Sequence, residues 1–311
     1  MAKFLITGGA GFIGSNIARR VVSEGGDVVI LDDFSTGYEA NLTDIKGDAT
    51  VIKGDICDTD TVKKAMKGVD YVHHHAAVVS VVRSVDDPLR TDAVNIGGTL
   101  NLLVAARDAG VKRFVFAGSS SAYGDNPTLP KQEDMKAEPL SPYAVSKLAG
   151  EMYVKVFNDV YGLPAVTLRY FNIFGPYQDP TSQYAAVIPI FINKLARGES
   201  PVVYGDGEQS RDFTYIDNAV QANLLAATAE RAPGTVINVA CGERFTLNEL
   251  LTRLHGLVGK DVPATYEAAR PGDVKHSLGD ITRAREVLGY EPLVTFEDGL
   301  KATVAWFLPK A

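Results

Sequence analysis

The sequence feature that most restricts the fold is a glycine-rich stretch near the N-terminus. Residues 4–6 form an apolar strand pattern, glycines follow at positions 8, 11 and 14, and apolar residues then recur with helical spacing. Glycines at this spacing allow a tight turn, a close approach of the backbone to a pyrophosphate, and close packing of helix against strand. The N–H groups at the start of the helix would face the anion. The stretch therefore predicts a strand, a phosphate-binding loop and a helix, with these loop residues: Gly8, Gly11, Phe12, Ile13 and Gly14.

Strand and helix patterns alternate along the first half of the chain. Further strand patterns recur at residues 27–31, 50–53, 71–73 and 113–116. Because helical patterns separate them, the sheet is expected to be parallel and covered on both faces. The predicted fold class is therefore α/β, a Rossmann-type doubly wound parallel sheet with a smaller α/β C-terminal lobe for the substrate. A boundary near residue 170 gives a cofactor-binding domain at 1–170 and an interwoven lobe at 171–311.

Composition argues against several classes of partner. The 311 residues are 46% hydrophobic and 22% charged, with a formal net charge of −7 and no basic block. Nucleic acid and anionic membrane surfaces are therefore not expected partners. No apolar run approaches the about 18 residues of a membrane span, and no signal peptide is recognised. Cys57 and Cys241 form neither a disulfide framework nor a CxxC motif, so a cytoplasmic location is expected.

Three adjacent histidines, His73, His74 and His75, form a sequence of the kind that can bind a metal ion. Neighbouring residues of a strand point to opposite faces, and no acidic or cysteine partner has ligand spacing. We therefore expect structural histidines with satisfied hydrogen bonds, and no metal.

An acidic pair ends the second strand pattern. Asp32 lies about 20 residues beyond the glycine loop, where a carboxylate accepts hydrogen bonds from an adenosine ribose. Its charge would repel a 2′-phosphate, so NAD is favoured over NADP; the alternative is a solvated turn acid. Asp55 and Ile56, after the third strand, are expected to border the adenine. The polar loop expected near the ribose and the phosphates consists of Asp33, Phe34, Ser35, Thr36 and Gly37.

A candidate proton-transfer pair follows a predicted helix start. Ser141 and Pro142 suit the N-cap and first turn of a helix, which puts Tyr143 and Lys147 one turn apart on the same face. A nearby ammonium favours phenolate and lowers the pKa of the phenol, so the pair could take a proton from a sugar hydroxyl. The alternative is an ordinary amphipathic helix that exposes both residues.

The glycine loop, Asp32, a serine cluster at 119–121 and the Tyr143/Lys147 pair occur in this order. Together they resemble the extended short-chain dehydrogenase/reductase superfamily, in its nucleotide-sugar epimerase and dehydratase branch, over nearly the whole chain. The resemblance implies transient oxidation of a sugar by a tightly held NAD, with Ser119 as the catalytic hydroxyl beside the pair. It also implies further cofactor contacts at Ala76, Ala77, Val78, Asn95 and Phe171, with Asn95 supporting the nicotinamide region.

The residues after the catalytic hydroxyl indicate which reaction to expect. Dehydratases of the family carry Asp-Glu at this point and decarboxylating relatives carry Glu, whereas this chain has Ser120 and Ser121. The resemblance therefore implies a UDP-hexose 4-epimerase for UDP-glucose and UDP-galactose, and for the corresponding N-acetylated pair. The alternatives are a nucleotide-sugar 4,6-dehydratase, a 4-reductase, or a non-catalytic NAD-binding scaffold.

The same resemblance implies the substrate side of the site. The residue matching Asn172 binds the diphosphate, and glucuronate enzymes tend to have Thr there. Ser277 matches the position that sets the width of the sugar pocket, where a small side chain admits an N-acetyl group. Residues 178–180 and 184–189 are similar to 4-epimerases of N-acetylhexosamine type. Beside Ser119 and Tyr143, the other expected contacts are Ala186, Val187, Tyr204 at the uracil, Arg211 and Arg270 at the diphosphate, and Asp273 at a ribose.

The family usually forms homodimers through four helices, two from each subunit. Helical patterns near residues 99–109 and 152–161 are amphipathic and match these helices. A homodimer is therefore expected, although both apolar faces are also needed to cover the sheet.

Overall fold

The computed structural model describes residues 1–179, 186–269 and 274–308. Its centre is a seven-stranded parallel sheet. The strands are β1 Lys3–Thr7, β2 Asp27–Asp32, β3 Ala49–Lys53, β4 Tyr71–His74, β5 Arg113–Ser119, β6 Ala165–Tyr170 and β11 Val236–Val239. Their order across the sheet is β3-β2-β1-β4-β5-β6-β11. This order reverses direction between β1 and β4, as in doubly wound folds, so the predicted fold class is confirmed.

Eleven helices surround the sheet in the described part of the chain. They are α1 Phe12–Ser23, α2 Thr59–Ala65, α3 Val81–Asp86, α4 Pro88–Asp92, α5 Thr99–Asp108, α6 Pro142–Tyr161, α7 Val187–Arg197, α8 Ile216–Thr228, α9 Leu247–Val258, α10 Thr282–Leu288 and α11 Phe296–Phe307. Short 3₁₀ segments occupy Glu39–Ile45 and Ser120–Tyr123, and a π-helical segment occupies Ala93–Gly98. No helix in the described ranges is long and apolar enough to cross a membrane.

The remaining six strands form three short pairs outside the central sheet. β7 Ile173–Phe174 pairs in parallel with β10 Thr214–Tyr215, and β8 Val202–Tyr204 pairs in parallel with β13 Thr265–Glu267. β9 Ser210–Arg211 pairs in antiparallel with β12 Phe245–Thr246. These pairs and helices α7, α9 and α11 belong to the C-terminal half, whereas β11 of the same half joins the central sheet. The boundary near residue 170 stays a prediction, and β11 shows how far the two halves are interwoven.

Alternating side chains of the inner strands β1, β2 and β5 enter two separate apolar cores. On β1, Leu5 belongs to the core formed with α2, α5 and α6, and Ile6 belongs to the core that reaches α1, α8 and the C-terminal lobe. On β5, Phe114 belongs to the first of these cores and Val115 to the second. The sheet is therefore buried on both faces, which leaves its edges and strand ends as places for a ligand.

Helix α6 begins as its sequence predicts. The Ser141 hydroxyl accepts a hydrogen bond from the Ala144 N–H at 3.2 Å, and Pro142 occupies the first helical position. Gly162 ends the helix in a left-handed conformation, with φ of 68°. This N-cap confirms the predicted start, and it fixes Tyr143 in the first turn, beside the end of β5.

Candidate active site

A cleft of about 1130 Å³ opens at the carboxyl ends of the central strands. This is the edge at which doubly wound sheets bind ligands, next to the point where the strand order reverses. Most of the residues predicted for cofactor and substrate line it. Of the predicted cofactor residues, those that line it are Gly8, Gly11, Phe12, Ile13, Gly14, Asp32, Asp33, Ser35, Thr36, Gly37, Asp55, Ile56, Ala76, Ala77, Val78, Tyr143, Lys147 and Phe171.

The glycine loop leaves no room for side chains. A Cβ on Gly8 would lie 2.6 Å from the Ala76 nitrogen, and one on Gly14 would lie 2.3 Å from the Gly8 carbonyl oxygen. Gly8 also has φ of 68°, a conformation that favours glycine. The N-cap residue of α1, Gly11, makes no side-chain capping bond. The first N–H groups of α1 therefore face the cleft without a protein cap, which fits a pyrophosphate.

Asp32 lies between the glycine loop and the loop that follows β2. Its carboxylate accepts hydrogen bonds from the Ala10 N–H and the Phe34 N–H, each at 2.8 Å. Burial raises the pKa of Asp32, and these two backbone donors act in the opposite direction. Each oxygen keeps acceptor capacity beyond its one backbone bond, so the carboxylate can accept from two ribose hydroxyls.

Two acids that line the cleft, Asp33 and Asp55, share an arginine that the sequence did not predict. The Arg90 guanidinium lies 3.0 Å from an oxygen of Asp55 and 3.7 Å from one of Asp33. Arg90 is on α4, and nothing in its sequence neighbourhood indicated this contact. Its charge holds two carboxylates together at the mouth of the cleft.

Asn95 is buried beside the loop that follows β4, and it does not itself line the cleft. Its carbonyl accepts from the Val78 N–H at 2.7 Å, and its amide donates to the Val78 carbonyl at 3.0 Å and to the Ser146 hydroxyl at 2.9 Å. Ser146 in turn donates to the Tyr143 carbonyl at 2.8 Å. The side chain thus connects the loop after β4 to the first turn of α6.

Tyr143, Ser119 and Lys147 converge on the same part of the cleft. The Tyr143 side chain is partly exposed, and its phenol lies beside the Ser119 hydroxyl, which acts on it as a hydrogen-bond partner. Burial raises the pKa of Tyr143, and the Ser119 hydrogen bond opposes that rise. The expected lowering of this pKa by Lys147 is therefore wrong for this structure. The Lys147 ammonium donates instead to the Ala117 carbonyl at 2.9 Å, and burial lowers the pKa of Lys147 to about 8.

The serine cluster arranges its hydroxyls in a chain. Ser119 Oγ accepts from the Ser121 hydroxyl at 2.8 Å and from the Ser121 N–H at 3.2 Å. With these two bonds accepted, the Ser119 proton is available to the Tyr143 oxygen. Ser120 and Ser121 both line the cleft.

At the end of the cleft predicted to hold the substrate, Asn172, Asp212 and Ser277 are hydrogen-bonded to one another. The Asn172 amide donates to the Asp212 carbonyl and to the Ser277 hydroxyl, each at 3.0 Å. Both amide protons are therefore bonded within the protein. In this arrangement Asn172 has no amide proton left for the expected hydrogen bond to a diphosphate. Asn172 has φ of 30°, in the left-handed region that asparagine tolerates better than most residues.

The other predicted substrate residues divide into three groups. Ala186, Arg211 and Ser277 line the cleft, and the Arg211 guanidinium donates to the Lys275 carbonyl at 3.0 Å. Val187 at the start of α7 and Tyr204 at the end of β8 do not line it. Arg270 and Asp273 lie outside the described residues, as do residues 180 and 184–185 of the similar segments.

His73 and His74 are buried, His75 is partly exposed and lines the cleft, and the three rings differ in hydrogen bonding. His74 is bonded to the Thr7 and Thr99 hydroxyls, each at 2.8 Å. Neither ring nitrogen of His73 has a partner of normal geometry, nor does Nε2 of His75. The expectation of satisfied rings is correct only for His74. Burial lowers the pKa of His73 to about 4 and that of His75 to about 3, which keeps both neutral near pH 7. No group of three or more metal-binding side chains was found within the described ranges.

Comparison with known proteins agrees with this geometry. Residues 4–240 match the NAD dependent epimerase/dehydratase family. The UDP-glucose 4-epimerase of Mycolicibacterium smegmatis is 39% identical over 313 residues, which cover 99% of each chain. A solved UDP-N-acetylglucosamine 4-epimerase from Methanobrevibacter ruminantium, in complex with UDP-N-acetylmuramic acid, is 44% identical with a TM-score of 0.94, over 98% of this chain and 97% of that one.

A further solved structure contains the cofactor. The UDP-glucose 4-epimerase of Thermus thermophilus in complex with NAD is 35% identical, with a TM-score of 0.90 over 98% of each chain. The uncapped start of α1 after the glycine loop, and the Asp32 carboxylate, have the chemistry to hold a pyrophosphate and a ribose, which are parts of NAD. The protein therefore belongs to the NAD-dependent epimerase/dehydratase family, a branch of the short-chain dehydrogenase/reductase superfamily, and its cofactor is NAD.

Proposed function

We propose that the protein is a UDP-hexose 4-epimerase that interconverts UDP-glucose and UDP-galactose, and UDP-N-acetylglucosamine and UDP-N-acetylgalactosamine. The observation that supports this most directly is the convergence of Tyr143, Ser119 and Lys147 on the cleft that begins at the glycine loop. The names of the similar proteins support the same reaction class, since they are 4-epimerases of these nucleotide sugars.

The chain's own residues would move one proton and orient the sugar. Tyr143 takes the proton of the 4-hydroxyl, while Ser119 donates a hydrogen bond to the phenolate that receives it. When held by the glycine loop and Asp32, NAD would supply the redox chemistry, a reversible hydride transfer at C4 of the sugar. Tyr143 gives the proton back, and the configuration at C4 is inverted. Lys147 carries a positive charge near this site at pH 7, because its pKa of about 8 is still above that pH.

The choice of epimerase over dehydratase depends on the two residues after Ser119. Loss of water needs an additional acid and base beside the sugar, and Ser120 and Ser121 provide hydroxyls with neither property near pH 7. A reductase would consume NADH in stoichiometric amounts, whereas an epimerase regenerates its own NAD in every cycle. A non-catalytic scaffold would have no need of the Ser119–Tyr143 hydrogen bond.

The sugar has to turn between the two hydride transfers, so the nucleotide needs a firm anchor and the hexose a loose pocket. Arg211 lines the cleft and is proposed to hold the diphosphate, with Arg270 and Asp273 as further predicted contacts. Ser277 is small and already accepts from Asn172 and from the Asp212 N–H at 3.3 Å. Its own proton is therefore free to face the cleft, and its size leaves room for an N-acetyl group.

We also propose that two copies associate through α5 and α6. Three apolar side chains of α6 follow one another at intervals of four residues and are exposed, namely Met152 at 58%, Val156 at 45% and Val160 at 69%. The Arg107 guanidinium of α5 lies 5.1 Å from the Tyr161 ring centre of α6, so the two helices share this surface. An exposed apolar row of this kind is typical of a protein interface.

The experiment is an assay of the purified protein without added cofactor. UDP-glucose and UDP-N-acetylglucosamine are supplied separately, and the products are separated by chromatography. We expect both 4-epimers, because NAD is retained and recycled. Tyr143→Phe should lower the rate by a factor of about 10² to 10⁴ while UDP still binds. Near-native turnover by Tyr143→Phe, a 4-keto-6-deoxy product, or a strict need for added NADH would each contradict the proposal.

A further inference from the structure

Lys131 is a buried lysine of the cleft that the proposed reaction does not use. It is 2% exposed, yet it lines the cleft. Its ammonium donates to the Asn126 carbonyl, and no carboxylate of the described residues forms an ion pair with it. Burial lowers the pKa of Lys131, and the charge of Asp125 acts in the opposite direction. An ammonium has three protons, so two remain for other acceptors.

The position of Lys131 is fixed from several sides. Its N–H donates to the Leu278 carbonyl at 2.7 Å, and its own carbonyl accepts from the Asp280 N–H at 2.9 Å. The Asn238 amide also donates to that carbonyl, at 2.9 Å. Lys131 is therefore bonded to the segment of the cleft lining that contains Ser277, the residue before Leu278.

Lys131 lines the same cleft as residues of the segment that contains Ser119. Ser121 and Gly124, which follow Ser119 in the chain, line the cleft together with Lys131. A hexose whose 4-hydroxyl reaches Tyr143 must lie between this segment and Ser277. Lys131 lines the cleft that contains this space, so a bound sugar can provide acceptors for its remaining protons.

We propose that the Lys131 ammonium binds oxygen atoms of the hexose and is a further substrate-binding residue. The inference depends on the proposed function, since it needs a UDP-sugar in the cleft. The sugars it favours carry a hydroxyl, carbonyl or carboxylate oxygen on this side, because a poorly solvated ammonium is stabilised by such acceptors. An apolar substituent at that place leaves the two protons without partners.

Calorimetry with the NAD-loaded protein separates binding of the sugar from binding of the nucleotide. Dissociation constants are measured for UDP and for UDP-N-acetylglucosamine, with wild type and Lys131→Met. We expect the variant to bind the UDP-sugar roughly tenfold or more weakly, the usual loss for a hydrogen bond from a charged group. Its affinity for UDP should change by less than about twofold, since UDP lacks the hexose.

Two more variants exclude a purely structural explanation. Lys131→Gln keeps a donor for the Asn126 carbonyl but removes the charge, and it should lose UDP-sugar affinity while its melting temperature stays near that of wild type. Lys136→Met makes the same lysine-to-methionine change at an exposed residue, which pairs with Glu138 at 2.9 Å. It should alter neither the affinity for UDP nor that for the UDP-sugar.

Equal weakening of UDP and the UDP-sugar would mean that Lys131 only supports the cleft wall, and this would overturn the inference. Unchanged UDP-sugar affinity in both Lys131 variants would overturn it as well. Either result leaves the proposed function standing if the wild type epimerises its substrates. If the wild type binds no UDP-sugar, the proposed function itself fails.

Discussion

At the scale of single residues, the Ser119 hydroxyl is expected to control when Tyr143 can act as a base. Burial raises the pKa of Tyr143, and the hydrogen bond from Ser119 opposes this rise. A base works in its ionised form, so below its pKa the rate should increase about tenfold per pH unit. Ser119→Ala removes the bond that favours phenolate, so the rising limb of the pH–rate profile should move to higher pH.

Stopped assays over a range of pH test this shift. Ser120→Ala is the matched control, because Ser120 lines the same cleft and no hydrogen bond joins it to Tyr143. Its profile should keep the wild-type position. A shift of equal size in both variants, or none in Ser119→Ala, would show that the Ser119 hydrogen bond does not set the pKa of the base.

Ser277 permits a second test at this scale. Ser277→Tyr fills the sugar pocket and should abolish turnover of the N-acetylated pair while the glucose pair is still converted. It also removes the acceptor of the Asn172 amide and of the Asp212 N–H, so some stability should be lost as well. Ser277→Ala loses the acceptor without adding bulk. If Ser277→Ala shows the same selective loss, pocket width is not the property that Ser277 controls.

At the scale of elements, the glycine loop and the start of α1 pack too closely for a side chain to fit between them. Gly14→Ala would place a Cβ 2.3 Å from the Gly8 carbonyl oxygen, so the helix must move away from the loop. We expect purified protein with little NAD, measured by chromatography of the cofactor released on denaturation. Gly256→Ala is the control: this glycine is inside α9 with open space around it. Alanine there should raise stability by roughly 0.5–1 kcal/mol and leave the NAD content unchanged.

The sequence predicted well those elements that depend on residues close to one another in the chain. Ser141 and Pro142 define the start of α6 by short-range bonding, and the alternation of apolar strands indicated the sheet. Contacts between distant segments could not be predicted in this way. Arg90 reaches Asp55 from 35 positions away, and Lys147 donates to a carbonyl 30 positions before it rather than acting on the phenol. Both contacts exist only because the sheet brings these segments together.

At the scale of the whole molecule, the two halves of the chain share one core. The apolar cluster on the α1 side includes Ile6 and Val115 of the central sheet together with Phe191 of α7 and Leu250 of α9. The substrate end of the cleft is therefore attached to the cofactor end through packed side chains. This continuity keeps Asn172 and Ser277 in a fixed position relative to Tyr143, which a reaction at a single sugar carbon requires.

The proposed homodimer gives the prediction for the complete assembly. Val156 lies in the middle of the exposed apolar row of α6, so Val156→Glu would bury a charge on each side of a two-fold contact. We expect light scattering to give the mass of two chains for wild type and of one chain for the variant. Leu293→Glu places the same charge on another exposed apolar residue, 62% accessible and away from α6, and should remain dimeric. A monomeric wild type, or a Val156→Glu variant that keeps the mass of two chains, would exclude α6 as the contact.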